Sequence, residues 1–200
     1  MRGFARTCTS KAVSHMKRPS WRLTLEESRR DLAAVGVPTN GTTCTIFHAL
    51  RTPGTRLLLL HRLQAWVGAE SRVTALVSSM IWNFSYVLSG CMIGRNAQIA
   101  GGVVFPHPTA IVIGNRAVIA SGCWIYQSVT IGASQRQGML AYPTLEARRQ
   151  IFPGACVIGG IKLAPGTIVA ANSVLLHSTE EDSMYAGSPA SKVKDLYGCM

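Results

Sequence analysis

Acidic residues are scarce in this chain of 200, nine Asp and Glu against twenty Lys and Arg. Between Glu70 and Glu146 there is none at all. That gap removes paired-carboxylate glycoside chemistry, carboxylate sites for hard metals and a local Ser-His-Asp triad from the middle of the chain. Metal-type cysteine spacing is missing too. Cys8, Cys44, Cys91, Cys123, Cys156 and Cys199 are scattered with no C-x-x-C pair, so no zinc site or disulfide framework is expected and reduced, buried thiols are. Cys123 and Cys156 fall where a small apolar residue is wanted. The aromatics are not interleaved with a basic run, which argues against a nucleic-acid platform. Charge is thin overall, at 14%, while Gly and apolar residues abound, as in a packed solenoid or sheet protein. The basic surplus suits an anionic, phosphate-rich partner.

Residues 1–40 form a basic segment with one short helix, partly disordered, and the first 25 residues have the composition of a transit peptide or a disordered start. Thr24 and Glu27 make a capping box for a helix running to about Val35. Residues 41–90 read as a helical arm, with a short helix over Thr43 to Leu50, a break at Pro53-Gly54, and a helix marked by Leu57, Leu60, Leu63 and Val67. No residue is charged from Val73 to Gly94, a length that a membrane span could use. The serines and Asn83 within it argue against lipid. Val73, Leu76, Val77, Met80, Ile81, Phe84, Val87 and Leu88 share one helical face, so the expectation is a helix packed on protein by that face.

After Ser89 the period changes. Ile93, Ile99 and Phe105 are six apart; Ile113, Ile119, Ile125 and Ile131 resume the step after a two-residue insertion; Ile151, Val157, Leu163, Val169 and Leu175 resume it again. Four residues beyond the anchors come small or modest side chains such as Ala97, Ala117, Cys123, Ala155 and Ser173, with Gly or Asn at the corners. Six-residue units of this kind close in threes into triangular coils, about four of them here. The expected fold is therefore mainly β: a left-handed parallel β-helix over 91–178, with an extruded loop at 133–150 and a tail at 179–200.

Of five histidines, His107 alone lies in a break of the repeat, inside FPHPTAIVI. Pro106 and Pro108 restrict the backbone on either side. A neutral imidazole there can take a proton from a hydroxyl as that oxygen attacks an acyl carbon. The residues alone leave a general base and an exposed corner histidine equally open. A main-chain carbonyl, Glu146 or a neighbouring subunit would have to orient the ring.

The segments FPHPTAIVIGNRAVIASGCWIYQSVTIGA, VIGGIKLAPGTIVAANSVLL and YAGSPASKVK closely resemble the serine acetyltransferase branch of the hexapeptide-repeat acyltransferases. The likeness reaches back through LRTPGTRLLLLHRLQAWV and covers roughly Phe47 to Lys194. It implies an acetyl-CoA-dependent O-acetyltransferase, cytoplasmic, with no metal, no nucleic acid and no membrane span. It further implies a homotrimer, or a hexamer, with active sites in the grooves between neighbouring β-helices. His107 falls on the catalytic histidine, and Ala133 where a backbone amide meets the thioester. Gly154 and Ala171 fall along the pantetheine path, Lys192 and Lys194 where cofactor phosphates could be met. The chain departs from that pattern at Pro106, Met92, Ala141 and Tyr142, where the branch carries groups that bind serine and assist the base. Those losses, with the Pro-His-Pro segment, favour a small or saccharide acceptor, above all a sugar or polysaccharide hydroxyl. Serine O-acetylation is the alternative, and a non-catalytic trimeric scaffold the one after that.

Overall fold

The computed structural model describes residues 19–38, 41–68, 70–136 and 138–196; the expectations for residues 1–18 lie outside these. Four helices come first: α1 (Trp21–Ala34), α2 (Thr42–Arg51), α3 (Pro53–Val67) and α4 (Arg72–Ser89). α1 starts a turn earlier than its sequence suggests, because the Ser20 side chain accepts from the Leu23 amide and serves as N-cap. Thr24 is thereby inside the helix and buried. Pro53 starts α3 rather than breaking it, since a first-turn residue needs no N–H for the helix. Ser71 and Thr74 form the reciprocal cap of α4, and Gly90, at φ 64°, ends it.

The chain then winds in coils. The first holds β1 (Met92–Ile93) and β2 (Gln98–Ile99), with Val104 bridging in parallel to Trp124. The second holds β3 (Val112–Ile113), β4 (Val118–Ile119) and β5 (Trp124–Ile125). In the third, β6 (Thr130–Gly132) is followed by an antiparallel hairpin, β7 (Ser134–Arg136) and β8 (Met139–Ala141), then β9 (Thr144–Leu145) and β10 (Gln150–Ile151). The fourth has β11 (Cys156–Ile158), β12 (Lys162–Leu163) and β13 (Ile168–Val169). β14 (Val174–Leu175) and a terminal hairpin of β15 (Ser183–Gly187) and β16 (Ala190–Asp195) close the stack. Three sheets result: β1-β3-β6-β11-β14, β2-β4-β9-β12, and β5-β10-β13-β15-β16. They are called A, B and C below. Coil-to-coil pairing is parallel throughout, and the chain visits A, B and C in rotation. This is a parallel β-helix of triangular section.

All twelve six-step anchors are buried, most of them completely. Burying that many Ile, Leu and Val side chains, at about 1.5–3 kcal/mol each, is what offsets the cost of ordering such short strands. The ladder resumes sooner than the sequence reading placed it. Leu145 is an inward anchor at 0% exposure, paired with Ile119 and Leu163, so the extruded part is the β7–β8 hairpin and not the whole of 133–150. Gln150 is already in β10.

That shift puts Arg149 four residues beyond an anchor, in the inward register that small side chains fill elsewhere. It is fully buried. Its Nε donates to the Leu163 carbonyl at 3.0 Å, its Nη groups reach the carbonyls of Leu163 and Ala147, and Glu146 Oε2 stands 3.5 Å away. Burial pulls its pKa down to about 10, so it stays charged at neutral pH. Arg148, at φ 60°, makes the corner that Gly122 and Gly166, both at φ 73°, make in the adjoining coils. Cys123 is inward and buried, its thiol pushed up to about 11 by desolvation. Cys156, expected inward as well, instead faces outward on β11 between Thr130 and Val174.

The helices close the top of the coil. Leu57 and Leu58 of α3 belong to the same apolar core as the anchors. Arg62, 5% exposed, pairs with Asp31 and Glu27 of α1 and donates to the Ala100 carbonyl; Asp31 in turn accepts from the Gly102 amide at 2.9 Å. His61 Nε2 lies 3.1 Å from the Ala97 carbonyl. Trp82 of α4 donates to the Ile93 carbonyl at 2.7 Å.

α4 reverses the sequence expectation. Its buried residues are Ser78 and Ser85, and Ser78 donates to the Gln64 carbonyl while receiving Arg95. The apolar face read as inward points out, with Val73, Leu76, Met80, Phe84, Val87 and Leu88 all exposed. The neighbouring α3 and first coil present polar atoms to α4, and serines can satisfy those where leucines cannot. No helix among the described residues is long and apolar enough to cross a membrane.

Candidate active site

His107 sits in the one turn of the first coil that carries two extra residues. The turn is pinned below by the Ser128 amide, which donates to the Thr109 carbonyl at 2.9 Å, and within itself by the Thr109 amide to the His107 carbonyl at 2.8 Å. Above, α3 comes so close that a Cβ on Gly54 would clash with the Phe105 carbonyl. The backbone leading into the histidine is thus fixed from both sides, while its side chain is exposed.

The bonds between successive turns show which residues share an edge of the prism. Ser128 hangs under Thr109, the Gly154 amide under the Gln127 carbonyl at 3.1 Å, and the Asn172 amide under the Pro153 carbonyl at 2.9 Å. His107, Gly154 and Ala171 therefore fall on one column, at the edge between sheets C and A. Gly154, at φ 72°, has no room for a side chain because Asn172 Oδ1 fills the space.

Ala133 is not on this column. It follows β6, at the edge between sheets A and B, where the Gly159 amide donates to the Gly132 carbonyl at 3.0 Å. Lys192 and Lys194 are on β16, at the far end of sheet C. Lys192 holds Glu180 and Asp195, each at 2.6 Å, and those bonds raise its pKa. It is already neutralised within the chain, which weakens its expected role toward phosphate; Lys194 is exposed. His177 ties the terminal hairpin to the last coil, its Nε2 2.9 Å from the Ala190 carbonyl.

Glu146, one of the partners considered for His107, is at the edge between sheets B and C and is engaged by Lys162 and Arg149. It belongs to the buried arginine rather than to the histidine. Tyr142 takes its place against Gly114, where its ring occupies the space of a Cβ, and Ala141 does the same at Gly160. The base of the hairpin thus covers the edge between A and B.

Two features of the His107 column escaped the sequence reading. Tyr126 and Phe152 stack along it, ring centroids 5.3 Å apart and planes 11° from parallel. Gln127, one coil below His107, has its Oε1 buried with no hydrogen-bond partner. A lone buried acceptor costs about 1–3 kcal/mol. The only sequence signal for either was position, one residue after the anchors Ile125 and Ile151 for the two rings and two residues after Ile125 for Gln127.

No family model matches the chain. Among curated proteins it is 31% identical over 137 residues to the serine acetyltransferase of Mycobacterium tuberculosis, covering 68% of this chain and 59% of that one. It is 29% identical over 137 residues to that of Synechococcus elongatus (68% and 55%), and 30% identical over 144 residues to that of Escherichia coli (72% and 49%). A solved serine acetyltransferase in complex with CoA superposes with a TM-score of 0.73 at 26% identity, over 86% of this chain and 70% of that one. The chain belongs to the serine acetyltransferase branch of the hexapeptide-repeat acyltransferases. The Neisseria gonorrhoeae serine acetyltransferase, at 21% identity and a TM-score of 0.75, shares the fold. The chain spans about half the length of the curated relatives it matches, 49–59% in these three.

Proposed function

We propose that this chain transfers an acetyl group from acetyl-CoA to a hydroxyl, with His107 as general base. The acceptor oxygen attacks the thioester carbonyl as its proton passes to His107; the C–S bond breaks and the CoA thiolate takes the proton back. What carries the reading is the column of His107, Gly154 and Ala171 on one edge. An exposed imidazole stands at its head, and Gly154 and Ala171 below it put little or no side chain of their own on the course proposed for the pantetheine arm. Backbone N–H groups at the adjoining edge, Ala133 among them, would stabilise the oxyanion. Because His107 and Ala133 lie on different edges, the two meet across copies of the chain, and a trimer of left-handed coils is the arrangement that fits.

L-Serine is the acceptor that the comparisons favour, since the relatives described above are named for it. The saccharide acceptor drawn from Pro106 and the missing acids finds no support there and gives way to serine. The test is an initial-rate assay that follows free CoA thiol with L-serine and, separately, saccharide acceptors. Turnover on serine is expected, reduced about 10²–10⁴-fold in His107→Ala. Full activity in that variant would overturn the role of His107; turnover confined to saccharides would overturn the acceptor.

A further inference from the structure

The end of α1, the start of α3 and the first coil do not close fully on one another. Between them lies a cavity of about 90 Å³. Val103, Val104 and Phe105 of the coil line one side of it, and Pro53 and Gly54 of α3 the other. Val35, the C-cap of α1, lines it too and is 38% exposed. The wall ends at Pro106, directly before His107. These walls are firm. Val103, Val104 and Phe105 are at most 4% exposed, and Gly54 sits so close to the Phe105 carbonyl that it has no room for a methyl.

Among the described residues, no charged side chain lines this space. Of its two hydroxyls, that of Thr55 is spent on the carbonyls of Ala49 and Thr52, each at 3.1 Å. Thr52 makes no capping bond to α3, so its hydroxyl can pair with a polar group brought in. An ammonium or carboxylate placed here would lose water and meet no opposite charge. Methylenes gain by the same transfer. On the scale where a cavity of about 150 Å³ takes benzene, one of this size takes roughly three to four carbons. An uncharged alcohol of that length can fill the space with its hydroxyl at the Pro106 end, toward His107. L-Serine would have to keep both charged ends outside.

We infer that the chain has a second class of acceptor, small uncharged aliphatic alcohols, seated in this cavity. The inference rests on His107 as general base and goes beyond the acceptor proposed above. The alcohol oxygen attacks the acetyl carbon of acetyl-CoA while its proton passes to His107; the C–S bond breaks, the CoA thiolate takes that proton, and an acetate ester leaves. Nothing besides the alcohol and acetyl-CoA is consumed.

The experiment follows free CoA thiol on the full chain with acetyl-CoA and the straight-chain alcohols from methanol to 1-hexanol, with L-serine beside them. Specificity, kcat/KM, is expected to rise about fourfold per added methylene as far as 1-propanol or 1-butanol. By 1-hexanol it should have fallen about tenfold or more, because the walls do not yield. Val35→Trp narrows the cavity from its exposed end, and circular dichroism checks that the variant folds. Its optimum should move to a shorter alcohol while KM for acetyl-CoA stays the same. Turnover on L-serine with none on the alcohols would overturn the cavity as an acceptor site and leave His107 as base. An alcohol series with no size limit, or the same optimum in Val35→Trp as in wild type, would overturn it equally. No CoA release with any acceptor would overturn the transferase reading along with this one.

Discussion

His61 offers a quantitative test of how the helices are joined to the coil. Its ring is buried in α3 against the first turn of the solenoid, and Nε2 donates to the Ala97 carbonyl. That leaves Nδ1 as the acceptor nitrogen, and it is buried with no partner. The small cavity beside the ring is lined by Leu60, Trp82, Cys91 and Ile93, with Gln64 and Ser85. Adding a proton would place an ion there, with Arg62 nearby to repel it. Desolvation is the larger cause and the arginine adds to it, so the pKa falls to about 4 although the bond to Ala97 opposes the shift. The sign follows. An unfolded histidine titrates near 6.5, so the folded state gains from a neutral ring above that pH and loses the gain as pH falls toward 4. At about pH 5 the loss works out at about 2 kcal/mol, rising to about 3 kcal/mol below both pKa values. His61→Gln keeps an N–H for Ala97 and does not titrate in this range. Urea unfolding of both proteins, at one concentration and at about pH 7.5 and 5, isolates the term, because all other groups cancel between them. Wild type should lose about 2 kcal/mol more than the variant on acidification. Equal losses would mean that the ring is protonated in the folded state and that the reasoning is wrong.

Two further outcomes follow from the same junction. Asp31→Ala strips Arg62 of its closest carboxylate and the Gly102 amide of its acceptor, and should lower the urea midpoint by an amount equivalent to about 3 kcal/mol; an Asp31→Leu/Arg62→Met pair should recover more than half of it. Gly54→Ala drives a methyl into the Phe105 carbonyl two residues before His107. On the role proposed for His107, it should reduce the proposed turnover on L-serine by at least about tenfold while the fold survives, since small displacements near a general base carry such penalties; unchanged turnover would show that α3 does not set the His107 turn.

Sequence alone determined the coil, because its signal is local and repeated. An inward residue every six positions, small residues four beyond, and glycine or asparagine at the corners can be read with no knowledge of what lies across the coil. His107 was legible for a related reason, as an interruption of a strict period. The likeness to the acetyltransferases then gave its column-mates a meaning that spacing could not. Tertiary structure decided the rest. Which face of α4 is buried depended on the polar atoms that α3 and Arg95 offer it, and hydrophobic periodicity carries no information about the neighbour. Leu145 and Arg149 were hidden because the hairpin shifts the phase by a number of residues that the sequence does not mark. The buried guanidinium is tolerable where it is because the carbonyls of Ala147 and Leu163 converge on it. The separation of His107 from Ala133, and of Glu146 from both, likewise exists only once the turns are stacked. Periodicity specifies which residues point inward, whereas the stacking of one coil on the next assigns the outward ones to an edge.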